Sequence, residues 1–479
     1  MNILLVQPPL PANPVGAWVY AMNEPLALES VAAGVPPDHE VRILDMRVEP
    51  DGFGGMFDTF RPDIVGVTAL TPDLYGALRI LREAKRRNPE VLTVAGGHHA
   101  TMLPTDFMYP FTDVIVTGGG VRTFRDIVTA RAAGLPLQRI PGLHLRGTDG
   151  VFTNTGAARP ETDLDTLPFP ARHLTAAYRA KYFRGSWGPL ASVMTSRGCL
   201  FRCDFCAVWR FEGGAYHARS PENIVKEFAT IAEPYISICD DNFFQDLQRS
   251  VRVAELVRAR GIRKTFKMNA RADMVVRHPE VVRLWAETGA RQMLIGIESI
   301  NDAYLKAMNK CTSAATNERA IRILHDHGIT VIAQFIITPE FTEQDFDDLA
   351  AFVERNRLTH PLFSVLTPLP GTPLFHRRRA EFLTDNYEMF DYVHSVLPTR
   401  LPGEVFHRRL ADLYYATYHS REGAPQDINT LPRGLAEKLY RALCGAHQLE
   451  EAPSDLRRES PPGTDADTPR VAAPFPGPA

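Results

Sequence analysis

Three of the chain's six cysteines fall within eight residues, in the run Cys199-Leu-Phe-Arg-Cys203-Asp-Phe-Cys206. Thiols at this density bind metal or carry redox chemistry. Cys239, Cys311 and Cys444 lie far along the chain and offer no neighbouring fourth ligand. Structural zinc takes four closed ligands. Three thiolates instead suit three irons of a cubane cluster, leaving a fourth iron open to chelate a substrate or cosubstrate. Two plainer readings stand beside this one: three buried apolar cysteines, and a zinc staple completed by a distant Cys or His.

Further polar residues sit where strands should end. Asp240-Asp241-Asn242 offers acceptors for an ammonium group, or an N-cap for the helix that follows. Glu298, in Gly296-Ile-Glu298-Ser299, is a similar carboxylate, with a helix cap as its plain role. Arg271 suits bidentate pairing with a carboxylate, or a structural ion pair. The runs Gly96-Gly97-His98-His99-Ala100-Thr101 and Gly118-Gly119-Gly120-Val121 let backbone approach a bulky ligand closely.

The elements that must position these residues form two series. The first alternates strands (Asn2–Gln7, Val41–Asp45, Asp63–Thr68, Val91–Ala95, Val114–Thr117) with helical stretches such as Leu74–Arg87. This pattern predicts a doubly wound α/β sheet, flavodoxin-like or Rossmann-like, over residues 1–135, with ligand loops beyond the strand ends. Residues 136–188 read as a linking bridge. The second series has strands at Leu190–Thr195, Tyr235–Asp240, Thr265–Ala270, Gln292–Glu298, Thr330–Ile337 and Leu362–Thr367, each followed by helical spacing. It predicts a partial (β/α)6 TIM-type barrel over 189–375, whose active residues gather at the C-terminal strand ends. A helical region over 376–450 and a disordered tail over 451–479 complete the expectation.

Composition excludes several classes. Lys plus Arg is 53 against 56 Asp plus Glu, a net charge of −3, which argues against a dedicated nucleic-acid binder. No apolar run reaches the ~18 residues of a membrane span. The N-terminus lacks a basic leader and a small-residue cleavage site, so a cytoplasmic location is expected.

A CxxxCxxC motif at the top of the first strand of a partial barrel resembles the signature of radical S-adenosylmethionine enzymes. The resemblance implies a 4Fe–4S cluster on Cys199, Cys203 and Cys206, and S-adenosyl-L-methionine chelated at the open iron. It further implies that reductive cleavage of that cosubstrate gives a radical that removes hydrogen from substrate. An electron donor such as flavodoxin or ferredoxin is the implied partner. Phe205 matches the aromatic that packs near the adenine, and Asp240, Asp241 and Asn242 the group that holds the amino end. Glu298 matches a residue near the ribose and methionine part. Arg271 would pair with the carboxylate, and Gln334 lies where the fifth strand brackets the adenine. Pro370-Gly371-Thr372-Pro373 resembles the turn after the sixth strand.

The N-terminal half resembles the cobalamin-binding subclass of the same family. Cobalamin would lie on loops containing Pro8, Thr68, Gly97, His99, Gly118 and Gly120. The chain has no DxHxxG, so the resemblance implies a corrin bound without the usual histidine below cobalt. The acidic GEGE-like stretch of the subclass reads Gly118-Gly119-Gly120-Val121 here. With Leu397-Pro-Thr-Arg400-Leu-Pro, the loops are most similar to hopanoid C-3 methylases. The function implied is methyl transfer to an unactivated carbon of a small molecule or lipid. The alternatives are a radical cyclase or rearrangement enzyme with the same domains, and a non-catalytic zinc-stapled scaffold.

Overall fold

Short runs of β-branched and aliphatic residues, each closed by Pro, Gly or an acid, become the strands of two parallel sheets. The computed structural model describes residues 1–11, 21–418 and 433–456. In the first half, β1 (Asn2–Gln7), β2 (Glu40–Asp45), β3 (Ile64–Thr68), β4 (Leu92–Gly96) and β5 (Val114–Val116) pair in parallel in the order β2-β1-β3-β4-β5. This is the flavodoxin-like order, with its crevice where the chain direction of winding reverses between β1 and β3. Both faces are buried under helices, and the strands are accordingly apolar throughout.

The expected bridge from residue 136 is corrected in part. β6 (Leu143–Arg146) and β7 (Phe152–Asn154) form a hairpin that extends the first sheet antiparallel to β5. The reason is an edge: β5 would otherwise expose unpaired backbone groups, and Leu143 and Leu145 bury against its core. The rest of the bridge runs across to the second half, where Phe183–Arg184 pairs with Ala21–Met22.

The second half contains six parallel strands in sequential order: β8 (Leu190–Val193), β9 (Tyr235–Ile238), β10 (Thr265–Ala270), β11 (Ala290–Glu298), β12 (Thr330–Ile337) and β13 (His360–Val365). Alternate residues such as Phe266, Met268, Ile295 and Phe335 point outward into a core shared with the surrounding helices. β8 does not pair with β13, so the barrel is open. The region after 375 is helical only in part. Short turns occupy much of 376–402, and the helices Gly403–Tyr418 and Arg433–Gly445 then pack Phe406, Leu410 and Leu443 onto the barrel's own core.

The expected tail also needs correction at its start. Residues 457–479 lie outside the described residues, but Ser454–Leu456 forms a helical turn on the first half. Leu456 is buried in the core beneath Leu74–Arg87, its carbonyl accepts from the Tyr109 hydroxyl at 2.7 Å, and Asp455 pairs with Arg82 at 2.7 Å. One apolar side chain and one acid are enough to anchor a segment whose composition is otherwise that of a linker.

The two halves are joined by buried charge. Glu24 and Glu29 from the first half, and Glu227 and Glu233 from the barrel, meet Arg172 and Arg179 of the bridge together with Arg219. Four carboxylates face three guanidiniums, and burial pushes the Glu29 carboxyl up to about 7, so a proton there removes the excess negative charge.

Two outcomes test this account. Leu456→Ala should cost about 2–5 kcal/mol in denaturant unfolding of the first half, the range for emptying a buried leucine site. Arg179→Met should cost up to about 3–5 kcal/mol, because Glu24 keeps only the longer contact with Arg172 while Glu29 and Glu233 lose their arginine. The same measurement at low pH should show a smaller loss, since the carboxylates are then protonated.

Candidate functional site

The loop that leaves β8 carries the three cysteines and is held from below. Asp240, fully enclosed at the end of β9, accepts from the Thr195 amide at 2.6 Å, the Thr195 hydroxyl at 2.5 Å and the Ser196 hydroxyl at 2.6 Å. Arg249 lies 3.4 Å from the same carboxylate. Gly198 then turns the chain at φ +86°, where a Cβ would fall 2.1 Å from the Ala215 carbonyl oxygen. No other residue fits that position. The loop is closed from above by the Trp209 indole, which donates to the Cys203 carbonyl at 3.1 Å, and by Asn309, which donates to the Arg202 carbonyl at 3.0 Å.

Cys203 is buried and Cys199 and Cys206 are half-buried, all three as free thiols. Burial pushes the Cys206 thiol up to about 12, with the neighbouring Cys203 and Cys199 adding to the rise. Burial also raises Cys199 and Cys203, while Arg271 and Lys310 pull them down. The thiols influence one another and share two cationic neighbours, a donor set that fits a cluster of negative charge. Among the described residues no three His, Cys, Asp or Glu side chains gather on one ion position. A cubane places each thiolate on a different iron and needs no such convergence, whereas a zinc staple does.

The other expected contacts divide into open and occupied groups. Asp240 is occupied by the loop it supports, through hydrogen bonds to both carboxylate oxygens. Asp241 beside it is exposed at the barrel mouth; desolvation by the protein packed around its carboxyl, with the neighbouring Asp240, pushes it up to about 6, although the Gly198 backbone donates to it. Asn242 donates to the Gln245 side chain at 3.1 Å, and its own side-chain oxygen, though buried, has no partner. Arg271 corrects the expected carboxylate clamp. Its Nε donates to Asp273 at 2.9 Å, one terminal nitrogen donates to the Lys310 carbonyl at 2.9 Å, and its guanidinium lies 3.5 Å over the Phe201 ring. It therefore braces the cysteine loop. Glu298 is buried at φ +59° and accepts from Lys310 Nζ at 2.6 Å. The left-handed backbone there is held by its surroundings, and the acid is paired rather than solvated. Lys310 was not legible from spacing, since it sits between helices with no periodic relation to Glu298. Gln334 faces inward beside Gly296, and Phe205 is half-buried on the loop.

A cavity of about 1430 Å³ lies between the halves, larger than the ~300–1,000 Å³ of a pocket for a drug-sized ligand. Thr68, Gly97, Gly118 and Gly120 line it. Gly97 adopts φ +92°, and a Cβ there would sit 2.4 Å from the Thr68 hydroxyl, so the cradle is shaped by the missing side chain. Pro8 and His99 are corrected. Pro8 is buried against Gly76, behind the strand end. His99 is fully buried, with Nδ1 3.2 Å from the Thr71 hydroxyl and Nε2 3.2 Å from Asp106, so both ring nitrogens are engaged. The expected corrin loop 8–20 is described only to residue 11. His98 does reach the cavity, stacks on Phe211 with ring centroids 5.1 Å apart, and is held neutral by burial, which lowers it to about 4.

Glu161 is the contact that sequence reading missed. It comes from the bridge, lines the cavity, accepts from the Arg122 amide at 3.1 Å and pairs with Arg197 at 2.5 Å. Its carboxylate lies where a side chain on Gly119 would go, 2.9 Å from the position of a Cβ there. A single acid thus caps the helix Gly120–Ala132 and holds the arginine two residues before Cys199. Only a long-range fold could reveal it.

Replacing Cys203 by Ala should remove most bound iron and sulfide from anaerobically purified protein while circular dichroism stays unchanged. Cys311→Ser should keep both, because Cys311 is exposed and outside the loop.

Two family models match the chain: the radical SAM superfamily over residues 193–353 and the B12 binding domain over residues 13–128. The hopanoid C-3 methylase of Methylococcus capsulatus is 32% identical, over 86% of this chain and 80% of that one. An anaerobic magnesium-protoporphyrin IX monomethyl ester cyclase of Rubrivivax gelatinosus is 28% identical, over 87% and 77%. The fold is shared with the radical S-adenosylmethionine methyltransferase TsrM of Kitasatospora setae, solved with cobalamin and a [4Fe-4S] cluster, at a TM-score of 0.68 and 18% identity over 93% and 99% of the two chains. On its paired domains, its cysteine loop and this kinship, the chain belongs to the cobalamin-binding radical S-adenosylmethionine enzymes, in their methyltransferase branch.

Proposed function

We propose that this chain transfers a methyl group to an unactivated carbon of a small-molecule or lipid substrate enclosed between its halves. The observation that carries this reading is that one cavity is walled on one side by the glycine loops of the first sheet and on the other by Met194, Arg197 and Phe211, around the cysteine loop. In this reading Cys199, Cys203 and Cys206 hold a 4Fe–4S cluster. Asp241, Glu298, Gln334 and Phe205 face S-adenosylmethionine, and Thr68, Gly97, Gly118 and Gly120 cradle cobalamin. When bound, these groups supply hydrogen-atom abstraction and the methyl to be transferred.

The chain's residues place and protect that chemistry. Asp241, which accepts from the Gly198 backbone, turns an exposed carboxylate toward an ammonium, and a cation beside it would draw its raised carboxyl back to the charged form. Asp240, Arg271 and Gly198 keep the thiols in one loop geometry. Glu161 ties that loop to the helix that opens the cobalamin wall, so the two cofactor sites keep a fixed separation. His98, neutral and stacked on Phe211, closes the wall with an uncharged aromatic pair. An external one-electron donor, a flavodoxin or ferredoxin, is the protein partner this reading requires. No helix among the described residues is long and apolar enough to cross a membrane.

The test is an anaerobic preparation supplied with cobalamin, S-adenosylmethionine and a reductant, offered candidate substrates with hopanoids first. The product should gain the mass of one CH₂, and bound corrin should approach one per chain. Loss or rearrangement of atoms without that gain would replace methyl transfer by the cyclase alternative.

A further inference from the structure

The barrel lumen contains a buried polar row that none of the roles above uses. Parallel register aligns Ser192, Ser237, Lys267 and Gln292 on four adjacent strands, β8 to β11. Their chain neighbours Ala191, Val193, Ile236, Ile238, Phe266, Met268 and Met293 belong to the outer core, so the four side chains face inward. They are 2%, 4%, 6% and 4% exposed.

Their hydrogen bonding is incomplete. The Ser192 hydroxyl and the Gln292 side-chain oxygen are buried without partners. Lys267 Nζ donates to the Asn269 side-chain oxygen at 2.5 Å, and no carboxylate pairs with it among the described residues. Burial pushes the amine down to about 7, and Arg184, a second cation beside it, adds to the fall. A buried lysine without a counter-ion is unfavourable, and two orphaned polar atoms in the same row add to the cost. The row is also reachable. Cys239, near enough to act on the Lys267 amine, is exposed, and Asn269 and Leu294, one step nearer the mouth, are half-buried although they sit inside the barrel.

We infer that this row seats an oxyanion of the substrate, a carboxylate or phosphate group, with Lys267 as its main contact and Ser192, Ser237 and Gln292 as hydrogen-bonding neighbours. The inference rests on the methyltransferase reading above and narrows its substrate to an acid. The acid end enters the lumen and the carbon to be methylated remains near the mouth, beside the cofactor loops.

Lys267→Met provides the test, in holoenzyme whose iron, sulfide and corrin contents are measured on the same sample. Acetate, succinate and inorganic phosphate are titrated at constant ionic strength against a chloride control, with the melting temperature as readout. The native protein should gain several degrees from the carboxylates or from phosphate, and which of them acts identifies the group. The methionine variant should melt no lower than native without added anion, since an unpaired buried amine has been removed, and should lose the anion response. A native protein indifferent to every anion, or a variant that responds equally, overturns the inference. So does a variant that melts well below native with cofactors intact, because Lys267 would then be a structural residue. Should the variant fail to fold, a crystal structure of native protein soaked in phosphate and in succinate decides: an oxyanion within hydrogen-bond distance of Nζ supports the site, and water alone overturns it. Normal iron and corrin alongside a failed anion response would leave the methyltransferase reading standing.

Discussion

Buried carboxylates that cannot be satisfied within their own half of the chain set the whole arrangement. Glu24 and Glu29 belong to the first sheet's layer, and Glu227 belongs to the barrel. Their cations are carried on the bridge, as Arg172 and Arg179. The first half's acids depend on the bridge arginines, and Arg172 reaches on to Glu227 of the barrel, which Arg219 also pairs, so the ion pairs fix how the two sheets meet. Leaving one acid unpaired at this depth is costly, and the arrangement is therefore far more restrictive than apolar contact alone. Burial raises the Glu29 carboxyl to about 7, which eases the negative charge that three arginines leave unbalanced.

That restriction brings the strand ends of one sheet to face the cysteine loop of the other. A doubly wound sheet and a parallel barrel each present ligands at their carboxyl edges. Turned toward each other, the two edges enclose one cavity. Glu161 and Arg197 then set the fine position, because they connect a helix start on one wall to the residue pair before Cys199 on the other. The acids near the mouth divide their work accordingly. Asp240 and Glu161 hold backbone and arginine in place, whereas Asp241 accepts from the Gly198 backbone and stands exposed at the mouth. Their neighbours explain the difference: hydroxyls, an amide and guanidiniums surround the first two, and Asp241 stands at open space.

The barrel interior shows the same economy of roles along its axis. Its rim carries Asp241 and Glu298, and its floor carries Lys267 with Arg184 nearby. Outward-facing residues on the same strands are apolar and closely enclosed. Inner positions near the mouth, such as Asn269 and Leu294, are half-buried, and the six strands do not close the cylinder.

The sequence by itself determined the two βα series, the strand cores within a residue or two, and the thiol set, because alternating burial and a local cysteine run are properties of near neighbours along the chain. Asn2–Gln7, Thr265–Ala270 and Thr330–Ile337 fell where the pattern put them. The glycine loops were also legible, since a positive φ such as that of Gly97 selects its residue locally. Only the tertiary structure decided which polar side chains were free. His99, Asp240 and Arg271 have the right types at the right strand ends, yet Asp106, Ser196 and Asp273 take their hydrogen bonds. Glu161, Lys310 and the Ser192–Gln292 row carry no motif at all, because what makes each a site residue is a partner, or a missing partner, brought close by packing rather than by spacing in the chain.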